Sequence, residues 1–212
     1  MRGLLVDFGG VLTTNVFDSF RAFCEREGLP ADTVKRAFRD DPEALALLRG
    51  LERGELTGDE FAPRFAARIG VERSDGLVER LFAGVGPDER MLDAVRRARG
   101  AGVRTALVSN SWGAERYDRD ELDELFDAIV ISGDVGMHKP EAEIFMLTAE
   151  RIEVPPGECV LVDDLRENCA GAERVGMTAI LHRGADSTLP RLEQLLGVDL
   201  GAAEAGPAAL GG

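Results

Sequence analysis

The sequence predicts an α/β protein built on a parallel sheet of five strands, with a helical insertion near the amino end. Three observations predict it. Apolar runs suited to strands buried on both faces recur at Leu4–Val6, Val103–Val108, Ala128–Ile131, Cys159–Val162 and Thr178–Leu181. Helical patterns alternate with them, as crossovers between parallel strands require. Residues 14–88, between the first strand and the helix before the second, carry several helix signals and no strand signal.

Each element follows from local chemistry. Phe17, Phe20, Phe23 and Cys24 share one helical face behind an Asn15 cap. Asp41-Pro42 opens a second helix, which Gly50 is expected to close. Thr57 and Glu60 have the spacing of a capping box before Phe61, Phe65 and Ile69. Beyond the insertion, Met91, Leu92, Val95 and Ala98 mark a helix closed by Gly100 and Gly102. Shorter helical patterns hold Leu122, Leu125 and Phe126, then Ile144, Phe145 and Thr148, then the run from Asn168 to Val175 ended by Gly176. Residues 201–212 are rich in Ala and Gly without periodicity, which predicts a mobile tail.

Bulk properties narrow the function. A chain of 212 residues with 44% hydrophobic content can bury a sizeable core. Its formal charge of −14 argues against the basic face of a nucleic-acid binder. The same charge repels anionic substrates at long range, so an anion site would need local positive charge. No apolar run approaches the roughly 20 residues of a spanning helix, and the amino end lacks a signal-peptide pattern. Cys24, Cys159 and Cys169 are too scattered for a disulfide framework. A cytoplasmic protein with reduced thiols and no membrane partner is expected.

The residues that carry chemistry follow the strand-like runs. Asp7 follows the first, Ser109 and Asn110 end the second, and Asp163 and Asp164 end the fourth; Lys139-Pro140 precedes a helix. Open α/β sheets bind ligands outside the carboxyl ends of their strands, so these residues should meet in one crevice. Two adjacent carboxylates are costly to ionise together unless a cation lies between them, which argues for a metal at Asp163-Asp164. Gly9-Gly10, directly after Asp7, let backbone approach an oxyanion closely. Neither His138 nor His182 has metal-ligand spacing, and both are expected to be structural.

The ordered set resembles the haloacid dehalogenase superfamily. Within it, the stretches TALVSNSW (105–112), VGMHKPEAEIF (135–145), VLVDDLREN (160–168) and VGMTAI (175–180) are similar to the amino-terminal phosphatase domain of soluble epoxide hydrolases and its bacterial relatives. The resemblance implies a Rossmann-like core at 1–13 and 89–200, and a helical cap at 14–88 that closes over the site. It also implies a magnesium-dependent phosphatase of small phosphorylated metabolites, acting through an aspartyl-phosphate on Asp7. Ser109 and Asn110 would grip the phosphoryl group, Lys139 would neutralise charge, and Ser111 and Trp112 would line the substrate side. Magnesium would be held by Asp7, the Gly9 carbonyl and Asp164, with Asp163 and Asn168 orienting these groups.

One position departs from the pattern. The superfamily's first motif is Asp-x-Asp, whose second Asp protonates the leaving group and then activates water; here the run is Asp7-Phe8-Gly9. A general acid is worth about 10²–10⁴ in rate. Thr13, Asn15 and Asp18 follow closely, but sequence alone places none of them at the site. Two other readings stand beside the phosphatase: a 2-haloacid dehalogenase, which also lacks the second Asp, and a catalytically weak binding or regulatory domain. The apolar face of the insertion is where a homodimer would pair.

Overall fold

The computed structural model describes residues 1–113 and 117–202. Five parallel strands form one sheet: β1 (Gly3–Val6), β2 (Arg104–Ser109), β3 (Ala128–Ile131), β4 (Cys159–Asp163) and β5 (Thr178–Leu181), in the order β3-β2-β1-β4-β5. The predicted strands hold to within a residue or two.

Their uniform apolarity has a direct cause, because both faces of the sheet are covered. Leu4, Val6, Leu107 and Val162 face a cluster completed by α6 (Glu89–Gly100), α7 (Arg119–Leu125) and α11 (Ala185–Leu196). Leu5, Val108 and Leu161 face the opposite cluster, with Ile144 and Phe145 of α9 (Ala142–Arg151) and Ala172 of α10 (Arg166–Arg174). A short α8 (Ser132–Val135) follows β3. No helix among the described residues is long and apolar enough to cross a membrane.

Five helices fill the insertion: α1 (Val16–Arg26), α2 (Thr33–Asp40), α3 (Pro42–Glu52), α4 (Gly58–Ile69) and α5 (Leu77–Phe82). They pack around an aromatic-rich cluster of their own that includes Phe20, Phe23, Phe61, Phe65 and Phe82. Caps start three of them as expected. Asn15 Oδ1 accepts from Phe17 N at 2.8 Å, and Asp41 Oδ1 accepts from Glu43 N at 3.0 Å. In the capping box, Thr57 Oγ1 accepts from Glu60 N at 3.2 Å while Glu60 Oε2 accepts from Thr57 N at 2.9 Å.

Gly50 does not close its helix. It is buried within α3, where a Cβ would meet Leu56 Cδ1 at 3.0 Å, so its missing side chain serves the packing of Leu56 and the helix runs on to Glu52. Of the expected tail, residues 203–212 lie outside the described residues. Leu200 and Ala202 donate backbone N–H groups to Glu193 Oε1, at 2.9 and 3.0 Å, which fastens the chain after α11.

Candidate active site

Strand register creates the site. Val6 of β1 pairs with Leu107 of β2 on one side and Val162 of β4 on the other. Asp7 N continues the ladder to Val162 O at 3.0 Å, which sets Asp7 level with Asp163 at the carboxyl end of the central strand. The chain leaves β1 toward β2 and β3, then returns on the other side as β4 and β5. The crevice at this reversal is where an open sheet receives ligands.

Lys139 is the hub. Its Nζ lies 2.7 Å from Asp7 Oδ1 and 2.7 Å from Asp163 Oδ2, and the residue is only 3% exposed. Burial alone would lower the lysine pKa, but the two carboxylates outweigh it and hold the ammonium charged. Asn110 fixes this lysine's backbone: its Oδ1 accepts from Lys139 N at 2.9 Å and its Nδ2 donates to Lys139 O at 3.1 Å. The Asn110 carboxamide therefore positions Lys139, and any grip on a phosphoryl group falls to backbone and to Ser109.

Asp163 is fully buried and saturated. Besides Lys139, it accepts from Leu165 N at 2.9 Å and from Asn168 Nδ2 at 3.0 and 3.1 Å. Asp7 and Asp164 are left facing the open side. Oxygen atoms of Asp7, Asp163 and Asp164 all lie within 4.8 Å of one another. Burial pushes the Asp7 carboxyl up to about 7, with Lys139 opposing; burial and then Asp163 push Asp164 up to about 6.

This donor set fits magnesium. The ion takes oxygen ligands at about 2.0–2.1 Å and commonly keeps several waters, so two carboxylates and a main-chain carbonyl are sufficient anchors. Gly10 completes the cradle: its φ is +76°, and a Cβ there would fall 2.7 Å from Asp164 Oδ2. Gly10→Ala should therefore displace the Asp164 carboxylate and weaken magnesium binding by roughly 10–100-fold. Titration of the metal-induced rise in melting temperature measures it, and an unchanged half-saturation would refute the cradle.

A cavity of about 540 Å³ opens above these groups, lined by Asp7, Gly9, Ser109, Lys139 and Asp164 at its polar floor. Ser109 Oγ sits 3.0 Å from Tyr117 OH, and the Tyr117 ring packs against Phe8 with centroids 5.1 Å apart. Tyr117 was not singled out from sequence, since a tyrosine eight residues past a strand end carries no local signal. Trp112 lines the cavity and also enters the aromatic cluster of the insertion, its ring 5.0 Å from Phe82 and 5.8 Å from Phe20 and Phe38. Ser111 is not among the lining residues. Its N–H donates to Ser132 Oγ at 2.8 Å and its Oγ accepts from Gly113 N at 3.1 Å, so it braces the loop after β2.

Neither histidine lines this cavity. His182 Nδ1 meets Thr188 Oγ1 at 2.9 Å, and burial lowers its pKa; His138 is buried with Nε2 3.7 Å from Glu141. All three cysteines are buried, and none forms a disulfide. A second concavity of about 390 Å³, lined by Met1, Arg2, Arg104 and Glu153, lies at the amino ends of β1 and β2, away from the carboxylates.

Comparison with known proteins places the chain in a family. The chain is 27% identical over 220 residues to bifunctional epoxide hydrolase 2 of Sus scrofa, covering 94% of this chain; it spans about 40% of that relative's length. It is 28% identical over 151 residues to a sesquiterpene phosphatase of Aspergillus oryzae, covering 69% of this chain and 77% of the other. The crystal structure of a wild-type HAD family enzyme from Bacteroides thetaiotaomicron, in complex with magnesium and inorganic phosphate, shares the fold with a TM-score of 0.60 at 22% identity, covering 85% of this chain and 93% of that one. The family model for haloacid dehalogenase-like hydrolases matches residues 1–176, a span that holds β1 to β4 and every group at the floor of the cavity. The chain belongs to the haloacid dehalogenase-like hydrolases.

Proposed function

We propose that the protein is a magnesium-dependent phosphomonoester hydrolase in which Asp7 is the nucleophile. The observation that carries this reading is the buried Lys139, bonded to both Asp7 and Asp163 at 2.7 Å with Asp164 alongside. Asp7 attacks phosphorus in line and the alcohol departs, splitting one hard hydrolysis into two easier steps. Lys139 and the Ser109 hydroxyl stabilise the charge that develops on the phosphoryl oxygens. Magnesium, held by Asp7, the Gly9 carbonyl and Asp164, supplies further neutralisation of that charge when bound.

We further propose the division into a core, 1–13 and 89–200, and a cap, 14–88. Its support is the separate aromatic cluster of α1–α5 and the opening of the cavity between these helices and the strand ends. A small phosphorylated molecule with an apolar portion suits this cavity, whose upper wall includes Phe17, Phe20, Phe38, Phe82 and Val85. Lys35, Arg39 and Arg49 also line it, supplying local positive charge against the overall −14.

The reading is tested by p-nitrophenyl phosphate hydrolysis with and without magnesium, beside halide release from a 2-haloacid. Phosphate release that requires magnesium is expected. Metal-independent halide release would replace it with a dehalogenase, and silence in both assays with a binding domain.

Linkage gives a second check on the metal. Asp7 at about 7, Glu52 at about 7 and Asp164 at about 6 all lie above their ordinary values of 3.8 to 4.5. Folding therefore takes up protons, and this contribution to stability, full below about pH 4, is lost as pH rises through 6 to 7. Magnesium binds the deprotonated pair. Its stabilising effect in thermal melts should be larger near about pH 8 than near about pH 5.5, and equal shifts would refute it.

A further inference from the structure

Gly9 leaves a proton-transfer role unfilled, and among the described residues those that follow it closely in sequence offer no substitute. Asp18 is exposed beside Arg21, and Asn15 caps α1. Thr13 Oγ1 accepts from Gly10 N at 2.9 Å and donates to Thr14 O at 3.1 Å, so that hydroxyl is occupied.

Four carboxylates among the described residues line the cavity: Asp7, Glu52, Asp164 and Glu167. Asp7 and Asp164 are already engaged as nucleophile and metal ligand. Glu167 is exposed on the first turn of α10. Glu52 is half-buried, and it comes from the other side of the cavity, at the last position of α3.

That position is held by the sheet end and not by the insertion alone. The Ser132 hydroxyl, at the start of α8, donates to the Glu52 carbonyl and also accepts from Ser111 N. Arg53 pairs with Glu141, two residues beyond Lys139. At Gly54 the backbone passes so close to Gly133 that a Cβ would meet its carbonyl oxygen at 3.0 Å. Three successive residues thus moor the end of α3 to α8, whose Ser132 also holds the loop after β2, and to the segment just after Lys139. Such mooring is what a proton-transferring group requires, since a misplacement of about 1 Å can cost on the order of 10² in rate.

We infer that Glu52, reaching the crevice from α3, performs the two proton transfers for which position 9 has no side chain; the inference rests on the phosphatase reading. In the first step the Asp7 carboxylate forms a bond to phosphorus, the bond from phosphorus to the ester oxygen breaks, and the leaving oxygen takes the Glu52 proton. In the second the Glu52 carboxylate takes a proton from water, whose oxygen attacks phosphorus and frees Asp7 and inorganic phosphate. Glu52 ends protonated, as it began. Burial pushes its carboxyl up to about 7, with Lys139 and Arg49 opposing and Asp7 and Glu167 adding to the rise, so both forms are accessible near neutrality.

Two esters with magnesium test it: p-nitrophenyl phosphate, whose leaving group needs no acid, and 2-phenylethyl phosphate, whose leaving group does. Glu52→Gln should lower turnover of the alkyl ester about 100-fold or more. With the aryl ester it should still give a burst of nitrophenol, then stall with phosphate on Asp7, seen by intact mass. Adding Gly9→Asp should restore alkyl turnover, and a Cβ at Gly9 has room, with Val16 Cγ2 at 3.4 Å. Should Glu52→Gln fail to fold, Glu52→Asp serves through the ratio of alkyl to aryl rates, which should fall at least about tenfold. An active wild type with unchanged ratios and no burst in the variants overturns the role of Glu52 alone. A wild type that hydrolyses neither ester overturns the phosphatase reading and this inference with it.

Discussion

Asp7→Asn is expected to reduce phosphate release on the order of 10⁴-fold or more, about 5 kcal/mol of barrier, because an amide is a poor nucleophile and the proposed roles commit Asp164 to the metal and leave Asp163 saturated. The change is nearly isosteric. Lys139 keeps its 2.7 Å bond to Asp163, and the costly buried charge at position 7 disappears. The metal-free variant should therefore melt no lower than the wild type, so that lost activity cannot be assigned to lost fold. Steady-state kinetics with magnesium, thermal melts and intact mass after incubation with substrate measure the three parts. A variant that keeps a tenth of the wild-type rate would remove Asp7 as nucleophile.

Lys139→Met is expected to give the largest loss of stability. It leaves Asp7 and the fully buried Asp163 facing each other without a cation, a case in which breaking a buried pair costs about 3–5 kcal/mol. Against a typical total of about 5–15 kcal/mol, the variant would sit near the edge of folding. Urea denaturation gives the value. Combining it with Asp7→Asn should recover part of the loss, since the two residues are in contact and their effects cannot add. A loss under about 1 kcal/mol would mean that Asn168 and the Leu165 N–H suffice for Asp163.

Much of the architecture was legible because its signals are local. Five short runs dominated by apolar residues mark strands buried on both sides, and Asn15, Asp41 and the Thr57–Glu60 box mark helix starts. The insertion's other helices were silent for stated reasons. Among its residues α2 buries only Val34, and the six-residue α5 has no side-chain cap. Gly50 misled because a glycine near a helix end ordinarily terminates it, whereas here it admits Leu56.

In the candidate site, Asp7, Ser109, Lys139 and the Asp163-Asp164 pair could be found from sequence because each stands at a strand end or in a motif of known order. Glu52 and Tyr117 could not. Their place in the cavity wall depends on how α3 meets α8 and how the chain returns after β2, which are tertiary facts with no residue pattern of their own. Ser111 shows the converse: adjacency to Asn110 suggested a contact surface, but its N–H is bound to Ser132 Oγ and its hydroxyl to Gly113 N within the loop after β2.

The packing of Trp112 gives the molecule a built-in optical reporter. It is the sole tryptophan of the chain, it is donated by the loop after β2, and its indole is enclosed by phenyl rings of α1, α2, α4 and α5. Emission excited at the indole band therefore comes from one address, where the sheet side and the helices touch. Separation of the two would wet the ring and move the spectrum to the red, while an apolar ester entering the cavity would change its intensity without that displacement.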